Sequence, residues 1–146
     1  GETNQLIKKK IESAINEKLS VIFCIGEALK EKKRGKTFSI LKKQIKSSLE
    51  KKFNVNRIIF AYEPVWSIGT NKIPKMNELK STIKFIKNEF KKTFKTKKSP
   101  KVLYGGSVND KNISLFSSIS EIDGFLIGGA SQSSKKFIDI VKNYYK

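Results

Sequence analysis

Ala61-Tyr62-Glu63-Pro64-Val65-Trp66-Ser67-Ile68-Gly69-Thr70 is the stretch that decides the fold of this chain. An apolar run, Ile58-Ile59-Phe60-Ala61, leads into it and places one carboxylate, Glu63, at the end of a predicted strand. In enzymes with parallel sheets, catalytic groups lie at the carboxyl ends of the strands. The segment after Glu63 begins with a stiff proline and has a glycine near its tip, which is typical of a lid. We therefore expect a catalytic carboxylate followed by a mobile lid.

Helical and strand patterns alternate along the rest of the chain. Apolar residues at helical spacing predict a helix over residues 3–18, and Val21–Ile25 has the continuous apolar run of a parallel strand buried on both faces. Strands that alternate with helices predict one structural unit built on a parallel sheet with right-handed crossovers. The other predicted elements are a charged loop over 30–36, a helix marked by Leu41, Ile45, Leu49 and Phe53, strands over 58–62, 101–104 and 125–127, a helix after Pro74 with Leu79, Ile83, Ile86, Phe90 and Phe94 buried, a short helix around Ile113, Leu115 and Phe116, and a closing helix with Phe137, Ile138, Val141 and Tyr145.

Two glycine pairs come directly after predicted strands. Gly105-Gly106 is followed by Ser107, and Gly128-Gly129 opens what we expect to be a short helix. Glycine lets a backbone approach an anion closely, and helix N-termini present unpaired N–H groups. The pattern favours a phosphate site near Glu63, and the alternative is two ordinary glycine turns.

These segments resemble the triosephosphate isomerase family, in that family's order and over essentially the whole chain. The decapeptide 61–70 resembles the family's catalytic-base and lid segment; 102–109 and 123–131 resemble its seventh and eighth strands with their phosphate loops; 24–27 resembles the end of the fifth strand and 1–4 the start of the fourth helix. The resemblance implies an α/β fold of the (β/α)8 TIM-barrel type. Such a barrel takes roughly 250 residues, so residues 1–146 would be the C-terminal half of a single barrel domain, with strands five to eight preceded by the fourth helix. The alternative is a genuine small α/β domain.

The resemblance also implies roles for single residues. Glu63 would be the base that moves a proton between adjacent carbons through an enediolate, interconverting glyceraldehyde 3-phosphate and dihydroxyacetone phosphate; the alternative is a surface glutamate in a salt bridge. The phosphate would be held by Gly69, Ser107, Gly128 and Gly129. The lid hinges would be Pro64, Val65 and Trp66 on one side and Lys72, Ile73 and Pro74 on the other, with Glu27 and Tyr104 as lid supports. Asn71, where glycine is frequent, and Ile73 depart from the family's commonest pattern.

An indole N–H in a hinge needs a partner, and the family resemblance implies that Glu27 accepts the N–H of Trp66 when the lid is open. Simple packing is the alternative for Trp66 and for Tyr104.

The composition limits the other functions open to the chain. Its net charge of +18 invites a nucleic-acid interpretation, but nearly all the positive charge is lysine spread over every predicted helix, and Arg34 and Arg57 are the only arginines. A solvated surface is our preferred account of the charge, and a basic nucleic-acid-binding protein is the alternative. The single cysteine, Cys24, cannot form an internal disulfide, which fits a reducing cytoplasm, and we expect it to pack rather than react.

The family resemblance implies further properties of the complete protein. It would work in glycolysis and gluconeogenesis in the cytoplasm as a homodimer, bind triose phosphates without metal or organic cofactor, and have no specific nucleic-acid or membrane partner. The chain has no histidine, so we expect the group that polarises the substrate carbonyl to come from outside it. The chain alone would then be inactive, and a non-catalytic phosphate-binding half-barrel remains the alternative.

Overall fold

Helices and strands alternate in the computed structural model of this chain, which describes residues 2–145. Three short 3-10 helices, Val55–Arg57, Ile113–Ser118 and Gly129–Gln132, lie between the larger elements. Those larger elements are the helices α1 (Asn4–Asn16), α2 (Leu29–Lys33), α3 (Thr37–Ser48), α4 (Met76–Phe94) and α5 (Ser134–Tyr144), and the strands β1 (Val21–Ile25), β2 (Ile58–Tyr62), β3 (Lys101–Tyr104) and β4 (Gly124–Phe125).

The four strands form one parallel sheet in the order β1-β2-β3-β4. In this register Ile25 pairs with Tyr62, and Tyr62 pairs with Tyr104. The carboxyl ends of the first three strands therefore lie side by side, and the loops that follow them meet at one edge. The predicted parallel α/β architecture is confirmed, and it corresponds to half of an eight-stranded barrel.

The helices pack on one face of the sheet and bury a common apolar core. Phe60 of β2 is fully buried, and its ring meets that of Phe90 of α4 edge to face at 5.7 Å. Aromatic pairs of this geometry add to the stabilisation that comes from burying their area. Other fully buried members of the core are Leu41, Ile45, Leu79, Ile83, Ile86, Val102, Ile113 and Phe116.

Strand β1 is buried on one face only, so the prediction of burial on both faces is wrong for this chain. Phe23 and Ile25 belong to the core, whereas Ile22 is 48% exposed and Cys24 is also exposed. The continuous apolar run predicted that both faces of β1 would be buried. The described helices cover only the face that carries Phe23 and Ile25.

Three element boundaries differ from the sequence-based expectations. The charged loop predicted over 30–36 overlaps the helix α2, whose start is fixed because the Ala28 N–H donates to the Glu31 carboxylate at 2.8 Å. Helix α3 ends at Ser48 because Leu49 is extended (φ −116°, ψ 143°), although Leu49 and Phe53 are buried as expected. The last strand is also shorter than predicted, since β4 covers only Gly124–Phe125 before the chain turns towards Gly128. Among residues 2–145, no helix is long and apolar enough to cross a membrane.

Candidate active site

A cavity of about 810 Å³ opens at the carboxyl edge of the sheet. It brings together Glu63, the lid tip at Ile68–Gly69, the loop over 105–112 and the turn over 126–130. Every residue predicted to be the base or to bind phosphate lines this one cavity: Glu63, Gly69, Ser107, Gly128 and Gly129. The roles of these residues stay predictions, while their proximity is a property of the structure.

Two glycines make room for Glu63. Its backbone N–H donates to the Ile25 carbonyl at 2.8 Å, and a Cβ on Gly26 would lie only 1.9 Å from the Glu63 carbonyl oxygen. A Cβ on Gly105 would lie 2.7 Å from Cγ and 2.8 Å from Oε1 of Glu63. Glycine is therefore required at both positions for the carboxylate to stand where it does. Neither glycine was connected with Glu63 from the sequence.

Cys24 lies on the same side of the sheet as the Glu63 carboxylate. Partial burial, and after it the neighbouring Glu63 carboxylate, raise the pKa of the Cys24 thiol to about 12. A thiol with so high a pKa stays protonated near neutral pH and is a poor nucleophile. This supports the expectation that Cys24 is not a reactive group.

Glu27 is fully buried and contacts Trp66 in the segment predicted to be the first hinge. Its carboxylate accepts the indole N–H of Trp66 at 3.0 Å and the hydroxyl of Tyr62 at 3.1 Å. Burial, and then the adjacent Glu27 carboxylate, raise the pKa of the Tyr62 hydroxyl, so it remains a donor. The contact expected between Glu27 and Trp66 is present in the structure. Tyr62 was not foreseen as a partner, because nothing in the sequence connects it with a residue 35 positions earlier.

The indole of Trp66 is also covered by a cation. The ammonium of Lys32 in α2 lies 5.0 Å from the centre of the Trp66 ring and 2.7 Å from the Glu78 carboxylate in the first turn of α4. Lys32 therefore bridges the tryptophan at the first hinge and the helix that follows the second hinge. No role for Lys32 or Glu78 was expected from the sequence.

The lid tip has left-handed backbone at two positions. Gly69 has φ +67° and Asn71 has φ +59°. Asparagine tolerates this region better than most residues with a side chain, which explains how it replaces the more frequent glycine. The second hinge, Lys72, Ile73 and Pro74, follows directly and leads into α4.

Ser67 connects the predicted lid to the loop that follows β3. Its hydroxyl is fully buried; it donates to the Lys72 carbonyl at 2.5 Å, lies 3.1 Å from the Tyr104 hydroxyl and accepts the backbone N–H of Ser107 at 3.1 Å. Burial raises the pKa of Tyr104 to about 12, while the contact with Ser67 partly offsets that rise. Tyr104 thus contacts the lid, as its predicted role requires. Ser67 was not among the predicted site residues.

Gly128 and Gly129 begin the turn on the far side of the cavity. A Cβ on either glycine would meet nothing within 4 Å, so both face open space. The turn is closed by Ser131, whose N–H and hydroxyl both donate to the Gly128 carbonyl at 2.9 and 2.8 Å. Within residues 2–145, no group of three or more His, Cys, Asp or Glu side chains is placed to hold a metal ion.

Comparisons with known proteins agree with this architecture. The sequence model of the family described as "Triosephosphate isomerase" matches residues 1–144. The chain is 45% identical over 147 residues to the triosephosphate isomerase of Dictyoglomus thermophilum, covering 98% of this chain and 59% of that protein. It is 40% identical over 143 residues to the chloroplastic triosephosphate isomerase of Fragaria ananassa, covering 97% of this chain and 46% of that one.

A solved structure supports the same relationship. The triosephosphate isomerase of Bartonella henselae superposes with a TM-score of 0.86 at 31% sequence identity, over 99% of this chain and 58% of the other. The chain thus spans well under two thirds of the length of these relatives. From the sequence match and the shared fold together, we conclude that this chain belongs to the triosephosphate isomerase family.

Proposed function

We propose that residues 1–146 are the C-terminal half of a single TIM-barrel domain, and that this half supplies the base, the lid and the phosphate cradle of a triosephosphate isomerase. The complete enzyme would interconvert glyceraldehyde 3-phosphate and dihydroxyacetone phosphate in the cytoplasm, as a homodimer. The observation that carries this proposal is the shared cavity, in which Glu63 faces the two glycine-containing loops.

Glu63 is the group in this cavity that fits the proton transfer. It stands at the end of β2 in the space that Gly105 leaves free, with its backbone anchored to Ile25. A carboxylate placed over the substrate can take a proton from one carbon and return it to the next, and positioned general bases contribute typically about 10²- to 10⁴-fold in rate. Closure of the lid over the cavity would remove water from around the carboxylate.

The backbone N–H groups of Gly69, Ser107, Gly128 and Gly129 would hold the phosphate. They come from the lid tip and from two loops at the carboxyl edge, so a phosphate between them would tie the lid to the rest of the site. Glycine at three of the four positions allows the backbone to approach an anion closely. A phosphate held in this way fixes the reacting carbons with respect to Glu63.

The carbonyl-polarising group would come from outside these residues. The chain has no histidine, and we propose that the residues completing the barrel supply the electrophile and the remaining substrate contacts. We further propose that the reaction needs no metal or organic cofactor.

Solvent-deuterium exchange tests the proposed reaction. The chain, combined with the residues that complete its barrel, is incubated with dihydroxyacetone phosphate in deuterium oxide, and substrate and product are examined by proton NMR. We expect deuterium at the carbon that loses its proton, because the base exchanges with solvent. Binding of the phosphate ester without deuterium at carbon would contradict the catalytic proposal.

The second candidate is a half-barrel that binds phosphate esters without catalysis. The lack of histidine favours it for the chain by itself. It predicts binding with no exchange at carbon even when the barrel is complete, so the deuterium experiment separates the two functions.

A basic nucleic-acid-binding protein is the remaining candidate, because the net charge is +18. Non-specific attraction to nucleic acid weakens steeply with salt. We expect retention on a polyanionic matrix to disappear at moderate salt, and sequence-dependent binding at physiological salt would support the nucleic-acid function instead.

A further inference from the structure

The buried hydroxyl of Ser67 contacts one of the N–H groups proposed to hold the phosphate. Three groups surround this hydroxyl: the Lys72 carbonyl, the Tyr104 hydroxyl and the backbone N–H of Ser107. The Ser107 N–H is one of the donors assigned to the substrate phosphate. In the present arrangement of the lid that donor already has an acceptor on the lid itself.

The fit around the hydroxyl is close. A Cβ on Gly106 would lie 2.6 Å from the Ser67 Oγ and 2.2 Å from the Tyr104 hydroxyl, so a side chain at position 106 would displace both groups. Ser67 and Ser107 are both buried, with Ser67 completely inaccessible. A buried N–H costs free energy when it lacks an acceptor, and Ser67 removes that cost while no phosphate is present.

The same hydroxyl also connects the two ends of the lid. Ser67 follows the first hinge, and its Oγ donates to Lys72 at the start of the second hinge. Withdrawing Ser67 from Ser107 therefore requires the lid to change its own internal contacts. Occupation of the Ser107 N–H and movement of the lid are coupled through one side chain.

We infer that Ser67 is a positioning residue that accepts the Ser107 N–H in the ligand-free state, and that a phosphate ester displaces it, so that the lid gives up this contact with Ser107 and closes onto the phosphate through Gly69. This inference rests on the proposed function, since it takes the Ser107 N–H as a phosphate donor. The binding-competent population is then only a fraction of the molecules, and the apparent affinity for phosphate is reduced by that fraction.

The test is the affinity of Ser67→Ala for glycerol 3-phosphate, measured from the backbone amide shifts of the ¹⁵N-labelled protein. Removing the competing hydroxyl frees the Ser107 N–H, so we expect binding roughly two- to ten-fold tighter than that of the unsubstituted protein. A purely structural role for Ser67 would weaken binding or leave it unchanged. Ser48→Ala is the matched control, because it removes another fully buried serine hydroxyl on α3 and should leave the affinity within about two-fold.

The outcomes separate this inference from the proposed function. If glycerol 3-phosphate shifts none of the amides of Ser107, Gly128 and Gly129, the phosphate site itself is contradicted. If it shifts Gly128 and Gly129 but Ser67→Ala binds no more tightly than the unsubstituted protein, only the role of Ser67 is contradicted.

Hydrogen exchange provides a second test that needs no substitution. It can therefore be made even if Ser67→Ala fails to fold. Hydrogen exchange at the Ser107 amide of the unsubstituted protein should be slow without ligand, since Ser67 accepts that N–H. Fast exchange at Ser107 would overturn the inference.

Discussion

Gly105 shows how one missing side chain makes room for the Glu63 carboxylate. A Cβ at this position would contact the Glu63 side chain at 2.7 Å, well inside ordinary contact. The neighbouring strand end at Gly26 has a similar contact, but with the backbone of Glu63 rather than its side chain. The two glycines thus serve the same residue in different ways.

Gly105→Ala should impair proton transfer more than folding. The new methyl group pushes the Glu63 carboxylate aside, and a displacement of about 1 Å from the productive geometry can cost on the order of 10²-fold in rate. Turnover of the completed enzyme and thermal unfolding followed by circular dichroism measure the two effects. Gly26→Ala is the comparison, because its methyl group meets a backbone carbonyl that cannot rotate away, and we expect it to lower the melting temperature more. Equal turnover in Gly105→Ala and the unsubstituted enzyme would contradict this account of Glu63.

The reactivity of the Cys24 thiol tests whether Cys24 lies beside the Glu63 carboxylate. Its pKa lies at about 12 instead of the ordinary 9.0, so the folded protein holds the thiol proton across the range in which an unfolded chain loses it. The contribution of the Cys24 thiol to the free energy of unfolding is fully present below pH 9. It decreases as the pH rises from 9 towards 12. At pH 8.5 we expect alkylation of Cys24 by iodoacetamide to be at least about ten-fold slower in the folded chain than in urea. Equal rates would show that Glu63 and burial do not act on Cys24.

Among the elements, α2 connects Trp66 of the first predicted hinge with α4 through Lys32. This lysine of α2 lies over Trp66 and pairs with Glu78 of α4, while Glu27 holds the indole N–H. Cation–π contacts are stronger when the cation is partly removed from water, and the Lys32 side chain is 30% exposed.

Lys32→Met should loosen Trp66, and fluorescence can report it directly because Trp66 is the only tryptophan in the chain. We expect acrylamide to quench Trp66 more strongly in Lys32→Met, by about two-fold, because the ring loses its cover. Lys30→Met on the same helix is the control, since Lys30 is exposed and not placed over the ring. Unchanged quenching in Lys32→Met, with native circular dichroism, would show that the lysine does not hold the indole.

The elements that the sequence predicts well are those whose signal is local. The apolar runs of β1, β2 and β3 and the helical stripe of α4 predict their positions closely. The helix α2 was missed because a short charged run was taken to be a loop, although lysine and glutamate favour helix and Glu31 caps the Ala28 N–H. The short β4 and the exposed face of β1 were also missed, because both depend on which strands and helices lie next to them in the folded chain.

The residues of the candidate site were likewise predictable from the sequence only where they belong to a local motif. Glu63 and the glycine loops could be recognised from contiguous motifs, and the structure brings them into one cavity. The hydroxyl of Ser67 could not be assigned, because its partner at Ser107 is 40 residues away. Contacts of this kind follow from the register of the parallel sheet, which the sequence does not specify residue by residue.

The sheet formed by residues 2–145 has two unpaired edges, and the chain carries a net charge of +18. The outer edge of β1 pairs with no other strand of the described chain, and Ile22 of that strand is 48% exposed. Unpaired edges with apolar side chains favour association, whereas like charges oppose it.

Self-association of the chain by itself should therefore increase with salt, because salt screens the repulsion between copies. Sedimentation velocity at about 0.05 M and 0.3 M sodium chloride, on either side of physiological ionic strength, measures it. Ile22→Lys should shift the equilibrium towards monomer, and Leu115→Lys, at an exposed residue of the 3-10 helix over 113–118, should shift it less. A monomer at both salt concentrations would contradict the view that these edges need a partner.

Substitution of Glu63 by glutamine tests the central claim most directly, in the completed enzyme. Glutamine keeps the size of the side chain beside Gly105 but cannot accept the substrate proton. We predict that turnover falls by about 10²- to 10⁴-fold while the affinity for glycerol 3-phosphate stays nearly the same. Near-normal turnover in Glu63→Gln would contradict the assignment of the base.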